Sequence, residues 1–407
     1  MHESFSGISV TVLVLGLAVF LCILIKAGLQ RVGVPSMVGF LVIGLALRVA
    51  DSQWAFATES FRTVLLFLGS AGVICLLFRV GLESDLGGLI GHLRKPGFIW
   101  IGNVFVSGGT AYLACNLLLG MGPVPSAVVA LALTATSVGV SVAVWQEAGA
   151  LDTPTGELLI DTAEMDDLSA VMLMAVLFAV LPASTGHQGV TALSFLKSLG
   201  SVAGRLLVFG TMCFLFSRYA EKRVTDFCNR LEPSPDPMLS VLAIGFVIAA
   251  LAGLLGFSVA IGAFFAGIVF SRDPQAVRSE ASIDAVYDLF VPFFFIQIGF
   301  SFAPLSLFAA LGAGVVLLVV AVMGKLIGTG LPALAVTSAH AAAVLGISMV
   351  PRAEIAMVVA QRGLQMSRNP VPQTAFSAVV LVSAITCIGA PIVLRMLFRR
   401  WPDVTED

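Results

Sequence analysis

Charged residues are scarce in this sequence. Asp, Glu, Lys and Arg together make up 11% of its 407 residues, whereas hydrophobic residues make up 58%. A soluble globule of this length needs far more polar surface, so the composition excludes one and indicates an integral membrane protein. A membrane-spanning helix needs about 20 mostly apolar residues. Thirteen runs meet that criterion: 7–25, 33–50, 61–80, 97–119, 124–145, 157–182, 192–216, 238–255, 257–271, 285–302, 306–333, 338–361 and 374–397.

Clustered cysteines and basic patches are also lacking. The six cysteines are scattered, which excludes a disulfide framework and a metal-ligand spacing, so we interpret them as small apolar residues. They are Cys22, Cys75, Cys115, Cys213, Cys228 and Cys387. The net charge is −2 and no long basic stretch is present, so nothing indicates a nucleic-acid partner.

The N-terminus lacks the basic region of a signal peptide. It begins MHESF and continues into a long apolar run without a small-residue cleavage pattern, so we expect a first membrane span there. If the chain starts outside and crosses thirteen times, fourteen basic residues fall on the cytoplasmic side and five outside. The excess of basic residues on the cytoplasmic side then predicts an external N-terminus and a cytoplasmic C-terminus.

Three pairs of segments suggest an internal repeat. GFLVIG at 39–44 resembles GAFFAG at 262–267, and LLFRVGLESDL at 76–86 resembles FFIQIGFSFAPL at 294–305. LTATSVGVS at 133–141 and ISMVPRAEI at 347–355 are disturbed apolar runs in matching places. Each matched span lies seven spans after its counterpart in chain order. Because seven is odd, the second half would cross the membrane in the opposite direction to the first. Inverted repeats are typical of secondary transporters, although similar glycine spacing also occurs in ordinary membrane-helix packing.

The segment EMDDLSAV at 164–171 places acidic residues within an apolar run. A charge at the bilayer centre costs about 2.5 kcal/mol or more, so such residues usually face a protein interior or a water-filled path. Asp167 lies about ten residues into the span, or roughly 15 Å, near its middle. Asp161, Glu164 and Asp167 follow one face, which suggests a cytoplasmic funnel for cations. The alternative is a buried structural ion-pair network.

Asp166 points about 100° away from that face. Two adjacent carboxylates repel in a low dielectric, so at least one is expected to hold a proton under some conditions. A carboxylate that binds either a proton or a cation is a competitive exchanger. Lys325 lies deep in an apolar run, roughly 12 Å from its end, too far for its side chain to reach the headgroups easily. We therefore predict an Asp166–Lys325 ion pair.

Two spans carry signals of an interrupted helix. Thr134, Thr136 and Ser137 lie halfway through the fifth span, where their hydroxyls compete for backbone partners. Pro351 lies halfway through the twelfth span and removes a backbone donor. Broken helices that cross at the midplane expose carbonyls and helix ends able to coordinate ions.

Charged and polar residues accompany these interruptions. Arg352 and Glu354 follow Pro351 directly, and we expect them to neutralise the half-helix ends or each other in preference to binding ions. Asn103, in the fourth span, is polar, but the sequence assigns it no role.

These residues resemble the monovalent cation/proton antiporters of the cation/proton antiporter superfamily. The similar branch includes bacterial sodium/proton antiporters and the membrane part of potassium-efflux systems. The resemblance extends over nearly the whole chain, in order. It rests on VPSMVGFLVIG (34–44), LLFRVGLESDL (76–86), LTATSVGVSVAVWQEAGALDTPTGELLIDTAEMDDLSAV (133–171), VAIGAFFAGIVFSRDP (259–274), VPFFFIQIGFSF (291–302) and MVPRAEIAMVVAQRG (349–363).

The resemblance implies an all-α, multi-pass membrane protein of about thirteen helices, with two inverted repeats. It also implies a homodimer in the inner membrane and a six-helix core with two crossed, unwound helices that moves as an elevator. Six parts are expected on this basis. They are first scaffold helices at 1–60, a core half at 61–183, a linker at 184–236, a second scaffold part at 237–284, a core half at 285–400 and a tail at 401–407.

The resemblance also implies roles for individual residues. Asp167 matches the aspartate that binds the cation, here Na⁺, and the proton, and Asp166 matches the preceding acidic position, which pairs with Lys325. The unwound crossover is matched by Thr136 and Ser137, with Thr134 beside them. Arg352 and Glu354 match the paired charges after the second crossover. Transported cations and protons are expected as the ligands, with no cofactor and no enzymatic activity.

Two adjacent aspartates with a lysine look like the electrogenic sodium/proton type. Departures from the family pattern are Asp161, Glu164, Arg79 and Ala353, and the extra acids leave the selectivity open. The alternatives are an electroneutral K⁺/H⁺ antiporter and a sodium-coupled symporter of related fold. Potassium-efflux relatives carry a nucleotide-binding domain after the last span, and the sequence stops at RRWPDVTED. An intramembrane protease needs its aspartates on separate helices, and a channel needs no such pair.

Overall fold

The structure is a computed structural model of the chain. It describes residues 2–32, 34–83, 94–184, 192–224, 227, 238–271, 280–302, 304–366 and 371–405. All regular structure in these ranges is helical, with no strand among them. An all-α fold is therefore confirmed. Cys228 lies outside the described residues, as do parts of the predicted linker and tail.

The helices are numbered in chain order. They are α1 His2–Val32, α2 Ser36–Trp54, α3 Glu59–Glu83, α4 Arg94–Leu113, α5 Pro123–Thr134, α6 Val138–Glu147, α7 Pro154–Ser184, α8 Ala192–Leu215, α9 Met238–Leu254, α10 Val259–Phe270, α11 Glu280–Phe300, α12 Pro304–Lys325, α13 Ala339–Ser348, α14 Glu354–Leu364 and α15 Gln373–Arg400. Single π-helical turns, Ala114–Leu118, Phe216–Ala220 and Leu326–Gly330, continue α4, α8 and α12.

Several helix starts follow from local sequence. Pro123 occupies the first turn of α5, where a missing N–H costs nothing. The side chain of Ser258 accepts the backbone N–H of Ile261 at the start of α10. Ser338 does the same for Ala341 at the start of α13. Serine at the N-cap satisfies one of the donors that a helix leaves unpaired.

Seven segments of the described chain are long and apolar enough to cross a membrane. They are Val12–Leu29, Ser36–Trp54, Glu59–Leu82, Arg94–Leu118, Pro123–Glu147, Ala309–Ala333 and Gln373–Arg400. Shorter apolar helices occur at Val241–Leu254, Val259–Phe270, Ala285–Phe300 and Ala339–Ser348. A multi-pass membrane protein is thereby confirmed. The count of thirteen crossings, the inverted repeat and the predicted orientation stay predictions.

The chain divides into two compact units. The first comprises residues 1–22, 50–86 and 174–297, and the second comprises 23–49, 87–173 and 298–407. The functional parts inferred from the sequence stay a prediction.

In the first unit, α3 packs closely against α10. A Cβ atom at Gly267 would lie 2.6 Å from the backbone N of Leu82, and one at Gly262 would lie 2.6 Å from the Cα of Ala249 on α9. Aromatic rings fill the remaining space, with the rings of Phe209 and Phe265 5.3 Å apart. Small residues at such contacts let membrane helices approach closely.

The second unit contains the residues singled out by the sequence. The helices α4, α5, α6, α12, α13, α14 and α15 lie in it, together with the first twenty residues of α7. Its chain contacts link α4 with α5 and α12, α5 with α14, and α12 with α15. The candidate site is built from these helices.

Candidate functional site

The first interruption lies between α5 and α6. Helix α5 ends at Thr134, and α6 begins at Val138. Between them, the backbone of Ala135 and of Ser137 is extended. The hydroxyl of Thr134 donates to the carbonyl of Ala130 at 2.8 Å. The predicted competition of a hydroxyl for the backbone is therefore present in the last turn before the break.

The second interruption lies between α13 and α14. Helix α13 ends at Ser348, and α14 begins at Glu354, which leaves Pro351 within a non-helical stretch. Proline lacks the N–H that would continue the helix and its ring clashes with the preceding turn. The helix opens where the sequence predicted.

The two interruptions contact each other. The backbone N–H of Ser137 donates to the carbonyl of Pro351 at 2.9 Å. The hydroxyl of Ser141 on α6 donates to the carbonyl of Ser348 at 2.6 Å. The indole of Trp145 donates to the Ser348 hydroxyl at 2.8 Å. The first two contacts satisfy backbone groups that the broken helices expose, as burial in protein requires, and the third joins two side chains across the same interface.

Charged residues complement the second break. Arg352 is fully buried and donates to the carbonyls of Met349 (2.9 Å) and Val350 (2.8 Å), just beyond the C-terminus of α13. It also donates to the carbonyl of Ala321 on α12 at 3.3 Å. Glu354 begins α14 and accepts the Ser137 hydroxyl at 2.8 Å. A cation at a helix C-terminus and an anion at an N-terminus both oppose the helix dipole.

Asp166 is held by donors on both of its carboxylate oxygens. Lys325 lies 3.0 Å from its Oδ2 atom, with both side chains 0% exposed, so the ion pair predicted from the sequence is present. The hydroxyl of Thr136 donates to the same oxygen at 2.5 Å, and the amide of Asn103 donates to Oδ1 at 2.9 Å. Lys325 also donates to the carbonyl of Thr134 at 2.6 Å. This lysine therefore covers the C-terminal end of α5 as well.

Asp167 has different surroundings. Among the described residues, the hydrogen bonds to this pair of carboxylates all go to Asp166. Asp167 is half-buried, and four charged side chains act on it. They are Asp166, Glu354, Lys325 and Glu164, three acidic and one basic. Asp161 and Glu164 are half-buried on α7, between its N-terminus and Asp167. An acidic majority around an incompletely bound carboxylate favours a cation.

Residues 16–400 match the family described as "Sodium/hydrogen exchanger, transmembrane". The chain belongs to this family. It is thus a multi-pass, all-helical member of a cation/proton antiporter family, as the sequence motifs predicted.

Individual relatives agree with this membership. The chain is 30% identical over 370 residues to the Na⁺/H⁺-K⁺ antiporter GerN of Bacillus cereus, covering 90% of this chain and 91% of that protein. It is 26% identical over 373 residues to the high-affinity Na⁺/H⁺ antiporter NhaS3 of Synechocystis, covering 88% and 77%. It is similar in fold to the sodium proton antiporter MjNhaP1 of Methanocaldococcus jannaschii at pH 8. That match has a TM-score of 0.70 at 14% identity and covers 98% and 99% of the two chains.

Sequence reasoning missed several contacts in this exchanger-family chain. It gave Asn103 no role and did not single out Ser141, Trp145 or Ser348. The backbone N–H of Arg352 donates to the Thr386 hydroxyl at 3.2 Å, another contact that was missed. One signal was available for Ser141, which lies one helical turn after Ser137 on the same face. The other partners come from helices distant in sequence.

Proposed function

We propose that this protein exchanges Na⁺ or Li⁺ for H⁺ across the membrane, with cation and proton competing for Asp167. The contrast between the two adjacent carboxylates carries the proposal. Asp166 has donors on both oxygens from α4, α12 and the break between α5 and α6, whereas Asp167 sits among mostly acidic groups. A carboxylate with lone pairs to spare can accept either ion, because each neutralises its charge.

The surrounding backbone supports this assignment. Thr134, Thr136 and Ser137 form the end of α5 and the interruption beside Asp166, and hydroxyl and carbonyl oxygens are suitable ligands for a small hard cation. Asp161 and Glu164 precede Asp167 on α7 and provide negative charge along its approach. Clefts lined with one sign of charge raise the local concentration of the opposite ion.

Alternating access completes the proposed cycle. We infer that the two crossed interruptions move together, since Ser137 and Pro351 are hydrogen-bonded, and that they carry the site between the two membrane faces as an elevator. The protein is proposed to act as a homodimer in the inner membrane, with its N-terminus outside and its C-terminus in the cytoplasm.

The test is proton flux in proteoliposomes with an imposed pH gradient, adding Na⁺, Li⁺ or K⁺ in turn. Asp167→Asn keeps the size of the side chain but removes the titratable charge, so we expect exchange to disappear. Asp288→Asn, on α11, is the control and should leave the flux unchanged. Full Na⁺-dependent exchange by Asp167→Asn would refute the site assignment.

A K⁺/H⁺ exchanger is the second candidate. The named activity of one relative includes K⁺ as well as Na⁺, and another relative, from Bacillus subtilis, is a K⁺/H⁺ antiporter subunit. The Asp166–Lys325 pair favours an electrogenic sodium type by resemblance. Clamping the membrane potential with valinomycin and potassium distinguishes the Na⁺/H⁺ exchanger from the K⁺/H⁺ exchanger. A voltage-sensitive Na⁺ response supports the first candidate. A K⁺-selective, voltage-insensitive response supports the second. A solute symporter of related fold would show neither.

A further inference from the structure

Asn103 is a fully buried polar residue on α4. Its amide nitrogen donates to Oδ1 of Asp166 at 2.9 Å, and its amide oxygen lies 3.4 Å from the hydroxyl of Ser107, one turn further along α4. The donor on Oδ1 fixes the plane of the carboxylate. With that plane fixed, Oδ2 lies between Lys325 and Thr136.

A second tether joins α4 to the same turn of α7. The indole of Trp100 donates to the Ser169 hydroxyl at 2.9 Å, and Ser169 donates to the backbone carbonyl of Asp166 at 2.9 Å. Trp100 and Asn103 are three residues apart, so they lie on neighbouring positions of one helix face. Helix α4 therefore holds both the carboxylate and the backbone of Asp166.

The same helix also sets the position of Lys325. Glycines flank this lysine at one residue before it and three after. A Cβ atom at Gly324 would lie 3.1 Å from the Cα of Ser107, and one at Gly328 would lie 3.1 Å from the Cα of Asn103. Both distances are shorter than ordinary contacts of a Cβ atom. The backbone of α4 therefore lies directly against α12 at Gly324 and against the π-helical turn that continues α12 at Gly328, on the two sides of Lys325.

We propose that α4 is the template that aligns the Asp166–Lys325 pair, and that Asn103 is the positioning residue within it. Asp166 is held by a side-chain donor, and Lys325 is held by backbone contact at Gly324 and Gly328. Asn103 acts on the transported cation through the pair and does not bind it. This inference rests on the proposed function, because the alignment matters only if a cation binds at Asp167.

The alignment has a consequence for cation binding. When Asp166 faces Lys325 squarely, the charge of the lysine is compensated and does not repel a cation at Asp167. Without the amide donor, the buried Oδ1 loses its described hydrogen-bond partner, and the carboxylate turns away from its present orientation. A hydrogen bond to a charged group is among the stronger ones, so its loss should disturb the alignment enough to lower the affinity for Na⁺ severalfold.

The first experiment uses Asn103→Leu, which keeps the approximate size and removes the amide. The affinity for Na⁺ is measured from the rise in melting temperature of the purified protein with Na⁺ concentration, a reading that does not require transport. We expect Asn103→Leu to weaken it at least fivefold. Asn116→Leu, an asparagine in the π-helical turn that continues α4, donates to Tyr112 and should leave the affinity unchanged.

A double-mutant cycle separates positioning from general damage. If Asn103 acts through the pair, Asn103→Leu should have less than a twofold further effect in the Lys325→Ala background. Gly328→Ala, which pushes α12 off α4, should weaken Na⁺ affinity in the same direction. Gly312→Ala on the same helix has open space within 4 Å and is its control. The glycine variants decide the question if Asn103→Leu does not fold.

Three results would overturn the proposal. The first is a Na⁺ affinity within twofold of wild type in both folded Asn103→Leu and Gly328→Ala, and the second is an increase in Na⁺ affinity in either variant. The third is that Asn103→Leu lowers the Na⁺ affinity as much in the Lys325→Ala background as it does in the wild-type background. Asp167→Asn is measured alongside. If Asp167→Asn still binds and exchanges Na⁺, the proposed function has failed. If Asp167→Asn is inactive and Asn103→Leu behaves as wild type, the alignment alone has failed.

Discussion

The two interruptions differ in where their compensating charges come from. The break between α13 and α14 carries its own, with Arg352 inside it and Glu354 directly after it. The break between α5 and α6 has no charged residue of its own. Its terminal carbonyl, that of Thr134, is covered by Lys325 from α12, which also pairs with Asp166 from α7.

The break between α13 and α14 is therefore held by an arginine whose partners keep a constant charge, whereas the break between α5 and α6 is held by a lysine whose partner can change its charge. Arg352 has backbone carbonyls as its described hydrogen-bond acceptors, and carbonyls do not change charge. Lys325 divides its donors between a carbonyl and a carboxylate, and a carboxylate can lose its charge to a proton or share it with a cation. Events at the acidic pair therefore reach the first break through the hydrogen bonds of Lys325, and the second through its contact with the first and through the charges of Glu354 and Arg352.

The largest expected effect comes from removing the charge in the second break. Arg352→Met leaves three buried carbonyls, those of Met349, Val350 and Ala321, without this donor. The carbonyl of Met349 keeps the Thr136 hydroxyl at 3.4 Å and that of Ala321 lies inside α12, so the carbonyl of Val350 is the one that loses its described donor outright. An unsatisfied buried group costs about 1–3 kcal/mol and the two weakened carbonyls add to that, so we expect a loss of about 2 kcal/mol or more in the free energy of unfolding. Thermal unfolding of the purified protein measures it. A melting temperature equal to that of wild type would show that the two breaks do not differ in this way.

Lys325→Ala should damage exchange more than stability. Asp166 keeps the donors of Asn103 and Thr136 when Lys325 is lost, which limits the cost of leaving it buried. We expect exchange to fall at least about tenfold, and charge movement per cycle to decrease, in protein that is still folded. Voltage-clamped flux in proteoliposomes checks both. Lys325→Arg keeps the charge and tests whether geometry matters too; unchanged electrogenic exchange by Lys325→Ala would remove the distinction between the breaks.

A smaller effect is expected at the contact between the breaks. Ser137→Ala removes the hydroxyl that donates to Glu354 but keeps the backbone bond to Pro351. We expect a loss of about 1 kcal/mol in the free energy of unfolding. Ser70→Ala, whose hydroxyl donates to the carbonyl of Leu66 on an exposed helix face, is the control and should cost less. Equal losses would mean that the side-chain contact between the breaks contributes nothing special.

The smallest effect should come from the ion pair between Glu147, at the end of α6, and Arg395. It is 3.0 Å long, but the two side chains are 61% and 36% exposed. Exposed pairs contribute about 0–1 kcal/mol and are screened by salt. Arg395→Met should therefore change the melting temperature little, and less at high salt than at low salt. A drop as large as that of Arg352→Met would show that burial does not decide the ranking.

Local signals were enough to predict the breaks and the ion pair. Pro351 disrupts its own helix, and Thr134 competes for a carbonyl of its own turn, so both effects act within a few residues. Lys325 was recognisable because it is a lone cation far from either end of an apolar run. The family followed from ordered motifs along the chain.

Contacts between distant helices could not be predicted in the same way. The sequence offered two acceptors for Arg352, the helix ends or Glu354, and only the folded chain shows that its hydrogen bonds go to carbonyls around the break. Asn103 and Asp166 are 63 residues apart, and nothing in either local sequence indicates which helix face meets which. Such pairings depend on how helices pack, which composition and periodicity do not specify.

The π-helical turn after Lys325 makes the two sides of this lysine respond differently to a change in chain length. In the segment Leu326–Gly330, hydrogen bonds reach five residues back, so this turn holds one residue more than an α-helical turn. Deleting a single exposed residue there, such as Ile327, would let the turn become α-helical and leave the helix on either side in nearly its present orientation. Deleting an exposed residue in the regular part of α12, such as Val319, would instead rotate Lys325 by about 100° relative to the segment that precedes it. A change of one residue in length, with every charged side chain intact, would then separate Lys325 from Asp166.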